Sequence, residues 1–536
     1  MKNKFIKYSL LLFVIAAVSS CAKKLDLFPQ NDLTPEKAYS TAAGYKSVLA
    51  KIYGTMATSG NAGPAGAPDI SGNLDEGSQI PFIRMFFNCQ ELPTDEAVVA
   101  WNDQTIKDFH NLTWSAGDPF LKGLYARPVY NVTLINEYLR ECTDAKLADR
   151  GITGVEADNI KKSVAEVRFL RAFNYWVMMD IFGKSTFVTE ADAIGATLPR
   201  EINRADLFAY IESELLAIDA DLAPVKTIEY GRVDQGAAWA LLARMYLNAE
   251  VYIGAPKYTE AVTYAAKVIG GGYSLYSSYP GLFMADNDKA TNEFIYAINC
   301  DGVKTTGYGN TTFFVHCAAG DDASEYGVSG GWYGYRATSA LVTKFADRTG
   351  STDRRALFTT SRFGTSDDQL RIDDIGDFND GPHVKKYVNL RSDGLPTTDA
   401  SGTFADVDFP VFRLAEMYLI YAEAVLRGGS GGSRTTALGY INQLRQRAYG
   451  TTSSGQVNDT ELSLDFILDE RARELYWEGH RRTDLIRYGL LTTGTYLWPW
   501  KGGVASGTAK SDIYNLFAIP ASNIVANPNL TQNPGY

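Results

Sequence analysis

Between residues 160 and 181, apolar side chains recur at Val164, Val167, Leu170, Phe173, Val177 and Ile181. Steps of three and four return to one face of a 3.6-residue helix, so this stretch is predicted as helix, with Gly183 as its stop. The same spacing predicts helices over 203–219, 235–249, 258–269, 411–426, 437–448, 464–478 and 481–490. Thr34-Pro35-Glu36 marks another start, because a proline in the first turn gives up an N–H that has no helical partner. Gly270-Gly271-Gly272 closes the 258–269 helix, and the alanines of Ala237–Ala243 allow close helix approach. Paired helices with short connectors predict tetratricopeptide-like hairpins, although the strict 34-residue signature is absent.

Two stretches break this rhythm. Residues 58–119 and 277–410 are rich in Gly, Asp, Thr and Tyr and hold few helical periods. The chain thus divides into a helical scaffold (about 34–57, 120–275 and 411–491) and loop-rich parts between. Long irregular segments in a compact protein usually carry function. Glycines such as Gly307, Gly309, Gly330, Gly331 and Gly334 permit tight turns and close ligand approach there.

The first residues follow a different logic. Lys2, Lys4 and Lys7 precede the nine-residue apolar run Leu10–Val18, and Ser19-Ser20 lead into Cys21. Nine residues at about 1.5 Å rise cover roughly half of a ~30 Å hydrocarbon core, so the run reads as a signal peptide over 1–20 rather than a span. Its Cys21 is similar to a lipoprotein cleavage site, with the lipidated cysteine as the first residue of one domain, 21–536. Several acyl chains anchor stably where one does not.

Without Lys2, Lys4 and Lys7, the 51 basic residues fall to 48 against 62 acidic ones, a net charge of about −14. That balance argues against nucleic acid or an anionic membrane surface as partner. Tyrosine is the commonest aromatic, 32 against 26 phenylalanines and 8 tryptophans, and its flat face with a polar tip suits wet binding surfaces. Cys89, Cys142, Cys300 and Cys317 form no CxxC pair, so they are either disulfides in one of three connectivities or buried thiols.

Catalytic motifs are missing. The histidines are His110, His316, His383 and His480, with no HExxH, P-loop or post-strand GxGxxG. Gly327–Gly331 matches GxSxG formally but lies in a glycine-rich run without a strand-to-helix setting. A glycosidase needs only two carboxylates, and the 62 acids here mark no such pair by spacing.

Several segments together resemble the SusD/RagB family of surface glycan-binding lipoproteins. They are Ala165–Ala172 (AEVRFLRA), Gly231-Arg232 through Leu241–Leu247, Phe412–Glu416 (FRLAE), Glu470–Arg482, and the ending Gln532–Tyr536. The resemblance implies a mainly α fold with four tetratricopeptide-like helix pairs plus an irregular ligand-binding lobe. It implies a non-catalytic receptor on the outer membrane, facing outward, and a SusC-like TonB-dependent transporter as partner. Phe87–Glu96, Leu282–Asp288, Asp301–Thr305 and Trp500–Gly503 are similar to the family's starch-binding branch. That likeness implies starch or another α-glucan as ligand, held by Asp75, Arg84, Trp101, Tyr308 and Trp332, with Gln104 where that branch has asparagine. It departs at Val99, which replaces a tryptophan beside the arc, and around 352–364, where this chain is shorter. A coiled α-glucan presents a curved apolar face that rings at 101, 308 and 332 could match, while Asp75, Arg84 and Gln104 meet hydroxyls. Alternatives are a different glycan, a peptide, or less readily a surface glycoside hydrolase.

The same likeness maps calcium ligands onto Asp288, Asp406 and Asp408. Asp286-Asn287-Asp288 and Asp406-Val407-Asp408 alternate acids in loop-like sequence, and Ca²⁺ needs six to eight oxygens. A structural Ca²⁺ joining the 286–288 loop to the 411 helix is therefore expected, while residues alone read as two solvated acidic turns.

Overall fold

The computed structural model describes residues 34–103, 105–195, 197–359, 366–450 and 455–536. Cys21 and Gln104, with what the sequence assigned to them, lie outside the described residues.

Helices dominate. In chain order they include α1 (Ala42–Gly54), α2 (Phe82–Glu91), α3 (Pro119–Glu141), α4 (Gly154–Phe182), α5 (Arg204–Ala217), α6 (Gln235–Leu247), α7 (Tyr258–Ile269), α8 (Thr311–Ala318), α9 (Leu414–Leu426), α10 (Arg434–Tyr449), α11 (Leu464–Leu475) and α12 (Arg481–Arg487). Their ends follow the capping residues. Asp118 accepts the N–H groups of Phe120 and Leu121 at the start of α3, Asn203 that of Asp206 in α5, and Gly183 closes α4 at φ +72°. Sequential helices pack on each other, α3 on α4, α4 on α5, α6 on α7 and α9 on α10. Helix α7 also packs on α9, which joins the two helical stretches across the long segment that separates them in sequence.

Among the described residues, three two-stranded antiparallel pairs stitch the loops to this frame. They are β1 (Val98–Val99) with β5 (Tyr335–Arg336), β2 (Ser185–Phe187) with β3 (Arg200–Ile202), and β4 (Phe294–Ile298) with β6 (Phe409–Arg413). The last pair is buried throughout.

Three expectations need correcting. The helix expected from 411 begins at Leu414, because Val411 and Phe412 belong to β6, where branched and aromatic side chains pack well on a pleat. The helix expected to reach 478 stops at Leu475. Trp477 then adopts φ +61°, which turns Glu478 toward Arg413 and Lys386 instead of continuing the helix face. Finally, the loop-rich stretches contain α2 and α8, whose residues are all buried; the polar positions Arg84, Asn88 and Glu91 fall on one face of α2, yet that face is covered by protein as well.

Where the 464–487 region meets the rest, charges are buried in a lattice. Arg355 pairs with Asp353 at 2.8 Å, Glu470 at 2.8 Å and Glu474 at 3.4 Å. Arg413 reaches Glu293, Glu474 and Glu478 at 3.1, 2.6 and 2.7 Å. Arg447 joins Glu293 at 2.7 Å and also Glu474. Lys386 meets Glu478 at 2.7 Å. Burial alone would raise the Glu474 carboxyl, but Arg447, Arg413 and Arg355 hold it at about 2. Cys89, Cys142, Cys300 and Cys317 are free, buried thiols, and burial pushes those of Cys142 and Cys300 up to about 12.

Candidate binding face

The loop aromatics converge through backbone pairing. Ladder β1–β5 runs on into a bond from Ala100 N–H to the Gly334 carbonyl at 2.7 Å, which carries Trp101 against the 332–335 segment. Gly334 sits at φ +100°, and a Cβ there would lie 2.0 Å from Trp101 Nε1. Only glycine lets the indole come this close. Trp101 is half-buried and meets the Tyr335 ring edge-on at 5.0 Å and 74°.

Arg84 on α2 ties the two sides together. Its backbone N–H donates to the Gly309 carbonyl at 3.0 Å, and its Nη1 to the Gly77 carbonyl at 3.2 Å. Its guanidinium lies 5.2 Å from the Trp101 ring centre and 4.7 Å from that of Phe313. Burial lowers its pKa, and its Nε has no hydrogen-bond partner among the described residues. Asp75 is exposed and accepts the Ser78 N–H at 2.7 Å, so Asp75 and Arg84 approach Gly77 from two sides instead of pairing as ions.

Tyr308 follows directly. It lies against Gly77, is 36% exposed, and its ring stands 6.2 Å from that of Trp332. Phe404 backs Tyr308 at 5.4 Å. Trp332 rests on the His316 ring of α8 at 4.7 Å and 22°, and its N–H donates to the His316 carbonyl at 2.8 Å. Gly331 makes this possible, since a Cβ there would meet the Ala319 carbonyl oxygen at 2.1 Å. Trp101, Arg84, Asp75, Tyr308 and Trp332 thus occupy one continuous neighbourhood. Phe404, Phe313 and His316 were not legible as its supports: Phe313 and His316 are buried in the apolar run of α8, Phe404 is a half-buried ring in a polar loop, and none of them marks a motif.

This face offers flat, partly exposed rings, one buried cation and one exposed carboxylate. Such a set can stack on apolar ring faces and exchange hydrogen bonds with hydroxyls. Nearby Ser329, the centre of the formal GxSxG, donates to the Gly402 carbonyl from a loop, not from a strand-to-helix elbow.

The expected calcium ligands Asp406 and Asp408 are engaged within the protein. Among the described residues no three His, Cys, Asp or Glu side chains gather as a metal would need. Asp406 takes N–H groups of Gly302 and Thr398 at 2.7 Å each, plus the Thr398 hydroxyl. Asp408 takes the Cys300 N–H at 2.7 Å and the Tyr230 hydroxyl at 2.8 Å. Burial pushes Asp408 up to about 7, aided by the charges of Asp288 and Asp406 and opposed by those donors. The carboxylate oxygens of Asp406 and Asp408 accept these bonds and so hold the 300–302 corner, while Asp288 stands exposed.

Among the described residues no helix is long and apolar enough to cross a membrane. Residues 373–536 match the model of the SusD family. "Starch-binding protein SusD" of Bacteroides thetaiotaomicron is 37% identical, with 100% of both chains covered. Among solved structures, a SusD superfamily protein from Parabacteroides distasonis superposes with a TM-score of 0.69 at 21% identity, over 92% of this chain and 99% of that one. Surface glycan-binding protein A from Bacteroides fluxus gives 0.67 at 20%, over 92% and 100%. With a relative this similar over its whole length, the chain belongs to the SusD family.

Proposed function

We propose that this protein is a non-catalytic cell-surface receptor that captures starch or a related α-glucan and passes it to a SusC-like TonB-dependent transporter. The observation that carries the reading is the continuous face of Trp101, Tyr308 and Trp332, reached by Arg84 and Asp75. The 37% identical relative named for starch binding supports the same ligand class. Each ring stack is worth about 0.5–1.5 kcal/mol by analogy with aromatic pairs, so single contacts are weak and a polymer with many sites holds through multivalency. Anchoring rests on Cys21, and Cys21→Ala should move the protein from the membrane to the soluble fraction.

Affinity electrophoresis in gels containing starch, pullulan, laminarin or no glycan tests the reading. Retardation by starch and pullulan but not laminarin is expected. Retardation by laminarin alone would assign a different glycan, and none in any gel would remove the receptor reading.

A further inference from the structure

The histidine beneath Trp332 sits in a hydrogen-bond arrangement that a neutral imidazole cannot complete. Its Nδ1 lies 2.6 Å from the Gly330 carbonyl oxygen, and its Nε2 lies 2.9 Å from that of Thr403. Carbonyls only accept, and a neutral ring carries one N–H where the imidazolium carries two. One of these contacts in the neutral form therefore sets a nitrogen lone pair against an oxygen. His316 is 3% exposed, which leaves little room for water to substitute. The two carbonyls belong to different loops, one bearing Trp332 and the other bearing Phe404 behind Tyr308.

We infer that His316 is a positioning residue for the stacking rings, and that its second proton ties the Trp332 and Phe404 loops together so that glycan affinity rises on acidification. The inference rests on the receptor reading proposed above.

Burial holds the His316 pKa below its usual 6.5, the two carbonyls oppose that, and no charged group is among the causes. The titratable and charged groups on the packed elements include Cys317 on α8, Asp321 and Asp322 just after it, Tyr333 and Tyr308 among the rings, Asp399, Arg84 over Phe313, and His383, whose Nδ1 lies 3.0 Å from the Ala318 carbonyl oxygen. Asp322 accepts the Gly320 N–H. Asp399 accepts the N–H groups of Ser401, Thr403 and Phe404, and although burial raises its pKa, those donors hold it below the usual range, so it stays ionised where His316 titrates. Protonation adds the second N–H···O bond and places a cation against the Trp332 face. Loops already tied together lose less freedom when a ligand arrives. Stability moves the other way. A histidine whose folded pKa lies below its unfolded value costs stability as pH falls through 6.5, because the unfolded chain takes the proton first. Affinity and stability moving oppositely would not follow from a merely structural histidine.

The test uses the full chain in detergent. The difference in tryptophan emission between the protein and Trp332→Phe, without sugar, isolates Trp332 between pH 5 and 7.5. Emission should fall about twofold with a one-proton profile, and maltoheptaose should bind roughly threefold more tightly at pH 5.5 than at 7.5. His316→Asn should abolish both responses, with His316→Gln as a second variant if the first does not fold. Emission that ignores pH, or equal affinity at both pH values, overturns the inference. Emission that titrates while maltoheptaose binds at neither pH removes the receptor reading and leaves the positioning role of His316 standing.

Discussion

The charge lattice around α11 and the aromatic face around Trp332 are built from the same kinds of residue under opposite constraints. In the lattice, Arg355, Arg413 and Arg447 share Glu293, Glu470, Glu474 and Glu478, with every side chain at most 4% exposed. At the face, Arg84 has no carboxylate partner among the described residues and turns its guanidinium on the Trp101 and Phe313 rings. A buried charge surrounded by carboxylates locks neighbouring elements in place, whereas a cation set against rings supports the partly exposed face above it. Tryptophans show the same division. Trp477 is buried and its Nε1 donates to the Glu96 carbonyl at 3.2 Å, while Trp332 offers one face to solvent and the other to His316.

The strongest way to break the comparison is Glu474→Ala. Three arginines lose a shared carboxylate, and removing one partner of a buried pair costs about 3–5 kcal/mol. Thermal melting should show that loss, while whatever remains folded at low temperature should bind α-glucan as before. If binding disappears with the protein still folded, the two regions are not separate.

Asp408→Asn probes the seam between them, since Asp408 holds the Cys300 corner that leads to Tyr308. Its folded pKa of about 7 lies above the unfolded carboxylate value near 3.8. This group's contribution is present below about pH 4 and lost as pH rises through 7. The protein should therefore lose stability between pH 5 and 8 relative to the asparagine variant, on the order of 2 kcal/mol. Parallel melting curves across that range would exclude a protonated Asp408.

Trp332→Ala and Trp101→Ala should each weaken maltoheptaose binding about tenfold, near 1.4 kcal/mol, with small changes in melting temperature. A variant that melts early yet binds normally places that tryptophan with Trp477, as packing. The smallest effect concerns calcium. Melting curves with added calcium and with chelator should superimpose, and a rise with calcium that Asp406→Ala abolishes would restore the cation site.

Periodicity read the scaffold well where helices are amphipathic. Tyr258–Ile269 has the predicted bounds, because its buried side meets α6 and α9 and the rest meets water. It failed at α2 and α8, which are enclosed on all sides, and those two helices carry Arg84 and His316. The segments that carried the family likeness turn out to be largely framework. Glu166 pairs with Arg232, Glu416 with Arg244, and the terminal Tyr536 hydroxyl accepts the Trp114 N–H at 2.6 Å. Asp406 and Asp408 have the residue types and spacing of cation ligands, yet backbone N–H donors reached them first.

What the sequence determined by itself was local: helix positions, caps, the glycines needed at 331 and 334, and a family-specific set of residue types. Local rules act over a few residues, so a single chain displays them directly. What tertiary structure decided was company. Whether an arginine faces three carboxylates or an indole, whether an aspartate meets an N–H or a cation, and whether a histidine lies between two carbonyls depend on segments far apart in the chain. Those contacts form only when strand pairs such as β1–β5 and β4–β6 bring the loops together, and no spacing within one segment encodes them.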